Sequence, residues 1–216
     1  MKIPEQRYVY FMSDDPKPVT DNISLWETIL QLSRHQQPRS GTTPVDNRLT
    51  YGEFFKAVSV FIETHLSDFI LNAVFALKKQ SLSAHEVSRI HIHLEKHGAF
   101  YHPARILLCP ADRLIAFVVN VAVSTEGQNI ALNEYRLLRQ LSGRVGSAWV
   151  PRVFGCDKVR IADQRHIQMF LGEWFDGFHE FHVSEKFGFG ETSLRVWDPK
   201  NESLFLTRHL TQTVFE

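Results

Sequence analysis

The stretch Leu114-Ile-Ala-Phe-Val-Val-Asn-Val-Ala-Val123 restricts this chain more than any other. It is rich in β-branched residues and apolar at odd and even positions alike, so Arg113 to Ser124 reads as a strand buried on both faces. This run, like Phe69 to Leu77, is about half the ~20 residues that a spanning helix needs. It therefore belongs to a core rather than to a bilayer.

The neighbouring segments supply its partners. Phe100 to Leu108 reads as a second strand and Cys109-Pro-Ala-Asp112 as a turn, which makes the pair a β-hairpin. Ser124-Thr-Glu-Gly opens a helix that runs to about Ser142, with Ile130, Ala131, Leu137, Leu138 and Leu141 on one face and Gly143 ending it. Trp149 to Cys156 and His166 to Trp174 read as two further strands joined by the polar connection Val159 to Arg165.

Upstream, the signals are helical. Ile23 to Ser33 is amphipathic, and Gln37-Pro-Arg-Ser-Gly-Thr-Thr-Pro44 separates it from the next helical segment. Thr50-Tyr-Gly-Glu53 has the spacing of a capping box before the apolar-periodic Phe54, Phe55, Val58, Phe61 and Ile62. Leu66 to Lys79 is helical and apolar on several sides, as a buried helix or a partner surface is. Ser83-Ala-His-Glu86 repeats the capping spacing, and with Gly98 as the stop it predicts a helix from Ala84 to His97. The expected class is α+β: a helical region over residues 1–82, a sheet-containing domain over 83–182, and a C-terminal hairpin or helix over 183–216.

Charge narrows the function. Lys and Arg number 24 against 24 Asp and Glu, so the basic footprint of a general nucleic-acid or anionic-membrane binder is absent. Two cysteines 47 positions apart form neither a disulfide framework nor a metal-binding pair, and Met1 to Pro18 has no apolar stretch of signal-peptide length. A cytoplasmic location is expected.

Glu134 shares the apolar stripe of its helix, where a carboxylate needs a cation or hydrogen-bond donors. A buried strand, a helix with an inward glutamate and two more strands ending at a glycine-containing connection have the layout of a protein-kinase-like small lobe. The segments Phe117 to Gly127, Asn133-Glu-Tyr-Arg-Leu-Leu-Arg-Gln-Leu141, Val150 to Gly155 and Phe170-Leu-Gly-Glu-Trp-Phe-Asp-Gly177 resemble the small lobe of the aminoglycoside-phosphotransferase-like branch of that superfamily. The resemblance covers roughly residues 99 to 182. It implies ATP with Mg as the ligand, Glu134 as the helix acid, and Glu173, Trp174 and Gly177 at the hinge that meets the adenine ring.

The departures from that pattern are chemical. Where the family carries its strand lysine stands Asn120, which is neutral and short and cannot replace the Lys-Glu ion pair or contact phosphates as a point charge. Lys96 to Pro103 holds one glycine and a bulky aromatic pair in place of a glycine-rich loop, and there is no catalytic-loop aspartate motif or metal-binding Asp-Phe-Gly downstream. The helical spacing of Leu206, Leu210 and Val214 runs to Glu216 without a cap, as in a fragment of a longer protein.

Other patterns carry less chemistry. His93 and His97 stand at i, i+4, yet Glu95 is misplaced for a zinc helix and no third ligand is apparent, so no metal is expected. Gly188-Phe-Gly-Glu-Thr-Ser193 lacks the third glycine of a nucleotide loop and reads as a turn. Cys109 and Cys156 have no His/Asp pattern that marks a nucleophile. Trp174, Phe175, Phe178, Phe181, Phe187 and Phe189 form an aromatic cluster suited to core packing or to a binding surface. The sequence supports two readings: a degenerate or partial phosphotransferase-like protein, inactive as this chain and binding nucleotide at a hinge, or a non-catalytic module that docks a protein partner or a second copy through phenylalanine-rich surfaces.

Overall fold

The doubly apolar stretch is β4 (Ile115–Ala122), which lies inside a six-stranded sheet of order β1-β2-β3-β4-β6-β5. The other strands are β1 (Tyr8–Met12), β2 (Val87–Leu94), β3 (Tyr101–Pro110), β5 (Val153–Arg160) and β6 (His166–Glu173). The computed structural model describes residues 7–12, 17–19, 23–30, 49–95, 101–110, 114–123, 125–142, 150–161, 165–174, 178–183 and 192–197. β1 runs parallel to β2, and every other neighbouring pair is antiparallel. The α+β class holds.

One face of the sheet carries Ile90, Ile92, Ile106, Leu108, Phe117, Val119, Met169 and Leu171, all at 0% exposure. It is covered by a continuous helical stretch made of α2 (Tyr51–His65), a π-helical segment Leu66–Leu71 and α3 (Asn72–Lys78). A shorter helix, α1 (Ile23–Glu27), precedes it. Phe54, Phe55, Phe61, Ile62 and Ile70 are fully buried within the same core. The helical stretch Tyr51–Lys78, 28 residues, is long and apolar enough to cross a membrane by length and composition, and its core-facing side chains pack on the sheet.

Its start is the predicted capping box. Glu53 N–H donates to Thr50 Oγ1 at 3.1 Å and Thr50 N–H donates to Glu53 Oε2 at 2.8 Å, which satisfies two of the amides a helix start leaves open. The other Glu53 oxygen is ion-paired with Arg165, so the cap also ties α2 to the β5–β6 connection. β1 is fastened from its side chains: Tyr8 Oη donates to Glu63 Oε1 at 2.7 Å, and Tyr10 Oη and Ser59 Oγ share a 3.1 Å hydrogen bond. Burial, then the Glu63 carboxylate, hold the Tyr8 phenol protonated well above its ordinary range.

The opposite face is covered over β4, β6 and β5 by α4 (Thr125–Leu141). Ala131, at 0%, packs with Ala122 and Phe170, flanked by Tyr135, Leu138, Val153 and Cys156. A second compact unit, Phe175–Glu216, contains an antiparallel hairpin of β7 (Phe178–Val183) and β8 (Thr192–Trp197).

Three expectations need correction. Within the segment expected as a helix from Ala84 to His97, Val87–Leu94 is β2. Glu86 does bond back to Ser83, with its carboxylate 2.7 Å from the Ser83 amide and 2.6 Å from the hydroxyl, but the box closes a turn. From Ile90 the apolar residues then alternate, as pairing between β1 and β3 requires. Of the zinc-helix pair, His93 is on β2 and His97 lies outside the described residues. Leu137, expected on the apolar stripe of α4, is 54% exposed, because the contact with the sheet runs through Ala131, Tyr135 and Leu138. The region before residue 82, expected to be helical, also supplies β1. The expected helix near Leu206 to Val214 lies outside the described residues.

The π segment sets one close contact. It places Phe69 against β5, stacked on His65 with ring centroids 4.2 Å apart, and a Cβ built on Gly155 would lie 2.0 Å from the Phe69 ring. Gly155→Ala is therefore expected to destabilise by about 1–3 kcal/mol through overpacking. Urea unfolding of the two proteins measures it. A variant as stable as the parent would show that the Phe69 ring moves aside freely.

Candidate functional site

The predicted site residues fall on two different faces of the sheet. Asn120 is 8% exposed and stands opposite Pro103 of β3 and Phe170 of β6, on the face that α4 covers. Glu134 is half-buried on α4, one turn beyond Ala131. The strand asparagine and the helix glutamate are thus carried by elements packed on one another.

Glu173 points the other way. It stands opposite Phe117, whose side chain faces α2, and its carboxylate clasps Arg152 with two 3.0 Å contacts, Nε to Oε2 and Nη2 to Oε1. Arg152 also donates from Nη1 to the carbonyl of Ala76 in α3, at 3.4 Å. The paired fork is a strong geometry for an arginine and a carboxylate, and it uses both oxygens of the expected hinge acid. Even the Glu173 amide is engaged, donating to the Arg152 carbonyl at 2.8 Å.

Trp174, one residue on, sits with Asn120's face of the sheet. The guanidinium of Arg105 lies 5.3 Å from its ring centroid, a cation–π distance, and Arg105 Nε is 3.1 Å from Glu95 Oε1. Gly177, the last expected hinge residue, lies outside the described residues, as do Phe175, Phe187 and Phe189. Phe178 and Phe181 are on β7.

Arg105 was not legible as a site residue from sequence. It is one of a row on β1, β2 and β3 that also holds Phe11, His91 and His93. The Phe11 ring stacks on His93 with centroids 4.4 Å apart and planes 6° apart, and is tilted against His91 at 5.2 Å. Burial first, then the positive charge of Arg105 and the neighbouring His91, push the His93 pKa down to about 4.

At the far side of α4 a cleft of about 580 Å³ opens against β5. Its lining includes Gln168, 3% exposed, which donates from Nε2 to Cys156 Sγ and to the Asp157 carbonyl, both at 3.0 Å, and Asp157 itself. Burial pushes the Cys156 thiol up to about 11, partly opposed by the Gln168 amide, so it stands as a protonated hydrogen-bond acceptor and not as a thiolate nucleophile. Among the described residues no group of three or more His, Cys, Asp or Glu side chains is placed to hold a metal ion.

No family model, no curated protein and no solved structure matches this chain.

The His93 environment has a consequence for stability. A histidine whose folded pKa lies below its ordinary 6.5 contributes fully above that value and loses its contribution as pH falls toward about 4. With the residue only partly buried and partly screened by solvent, the loss is expected to be about 1 kcal/mol. Urea midpoints compared at about pH 7.5 and about pH 5 should move less in His93→Gln than in the parent. An unchanged pH response would assign the effect to other groups.

Proposed function

We propose that this chain is a degenerate kinase-like small lobe that acts by binding and not by phosphoryl transfer. The observation that carries the reading is Asn120: a neutral, short side chain, buried on the α4-covered face, at the position where the resemblance implies a lysine. Without that cation there is nothing on β4 to hold nucleotide phosphates or to pair with Glu134.

The succession of β4, α4, β5 and β6, with β6 lying between β4 and β5, supports the resemblance at the level of layout. The hinge supports the non-catalytic part. An adenine ring would need the face of Trp174, and that face is covered by Arg105, which Glu95 holds in place. Glu173 is committed to Arg152 on the other side of the sheet. The phenylalanine-rich stretch beyond Trp174 is where a protein partner is expected to dock.

Calorimetric titration with Mg-ATP tests this. No saturable heat that depends on Trp174 is expected up to about 1 mM nucleotide, the weak end of the affinity scale. Arg105→Ala, which uncovers the Trp174 ring, is expected to change Trp174 fluorescence without creating phosphate affinity. Saturable Mg-ATP binding that Trp174→Ala abolishes would overturn the proposal and restore a nucleotide site at the hinge.

A further inference from the structure

The cleft between α4 and β5 is lined by Arg136 and Arg139 from the helix and Lys158 from the strand. Among the described residues none of the three side chains has an ion-pair partner. One acid, Asp157, also lines the cleft. Asp157 stands opposite Met169, so its side chain faces α2, where its Oδ2 is 2.8 Å from His65 Nε2, and its Oδ1 accepts the Lys158 amide at 2.7 Å. Like charges gathered on neighbouring elements repel one another, and Arg136 and Arg139 are one helical turn apart. In a chain of zero net charge, such a concentration of cations in one concavity is not a by-product of a basic composition.

We propose that this cleft binds a compact, multiply charged anion, a soluble phosphate-bearing small molecule with at least two negative charges. The volume lies in the range of small-ligand pockets. Two guanidinium forks match phosphate oxygens bidentately, and the lysine adds a point charge from the facing wall. The floor presents a neutral thiol and the Gln168 amide, and the one acid in the lining, Asp157, has its carboxylate bonded to His65. Tyr135 and Leu132 supply an apolar wall against which the carbon part of such a molecule can pack. Arg160 comes two residues after Lys158 on β5 and so lies on the same face, extending the positive rim. The site is independent of the hinge, so its test does not depend on the kinase-like reading.

The experiment is calorimetric titration of the full chain with pyrophosphate at low and moderate salt. Saturable binding that weakens with salt is expected. Arg136→Gln, Arg139→Gln and Lys158→Gln should each reduce affinity about five- to tenfold, while Arg89→Gln, an exposed cation on β2, should not. All four positions are exposed, and circular dichroism checks that each variant is folded. In a Cys109→Ser background, pyrophosphate should also slow alkylation of Cys156, the remaining cysteine, which lines the cleft. Vesicles carrying a bisphosphorylated phosphoinositide headgroup form the second arm. Absence of saturable pyrophosphate binding at about 10 mM, far below useful affinity, overturns the proposal. So does an equal loss in Arg89→Gln, or binding to the vesicles alone.

Discussion

Burial of β4 on both faces is the constraint on which the rest of this structure depends. Phe117, Val119 and Val121 are withdrawn from water by the α2–α3 layer, and Asn120 and Ala122 by the α4 side. A strand of this composition stays soluble only if both layers are present. The two helical layers are therefore coupled through it. α2 is long, heavily aromatic and anchored at its start by Glu53, and it builds the larger core. α4 rests on small and medium side chains, Ala122 and Ala131 with Phe170, and leaves room at its edge for a cleft.

The pleat of this sheet decides which side chains can act together. Because side chains alternate from face to face along a strand, adjacent Glu173 and Trp174 serve different layers. Glu173 locks Arg152 beneath α3, and Trp174 meets Arg105 on the other side. A motif read as a single unit in the sequence is split by the backbone that carries it. The same alternation places Cys156 and Lys158 toward α4 and the side chain of Asp157 between them toward His65, although Asp157 also borders the cleft.

Much of this was legible where local chemistry and tertiary context agree. Thr50 and Glu53 announced α2, the hairpin of β3 and β4 followed from two β-rich runs around a proline-containing turn, and α4 followed from its period. The same capping spacing at Ser83 and Glu86 misled, because a capping box satisfies a turn as readily as a helix, and the alternating Ile90-His-Ile-His-Leu94 found strand partners on both sides. β1 was invisible for a related reason. Its five residues gain their conformation by pairing in parallel with β2, some eighty positions away, and no local signal reports such a partner. The cationic cleft was hidden likewise, since Arg136, Arg139 and Lys158 meet only after α4 and β5 have packed.

The disposition of charge separates structural from available groups. Arg7 with Glu63, Arg105 with Glu95, Arg152 with Glu173 and Arg165 with Glu53 each join elements distant in sequence, and each uses its cation on an internal acid. These pairs are partly exposed, so their energetic worth is modest; their effect is to fix orientation. Two groups on the α4-covered face are neutral: Asn120 by identity, and Cys156, whose thiol burial keeps protonated. Among the described residues Arg136, Arg139 and Lys158 have no ion-pair partner, and all three line one concavity beside α4. They stand beside the Gln168 amide and the Cys156 thiol, the groups that the proposed anion would meet.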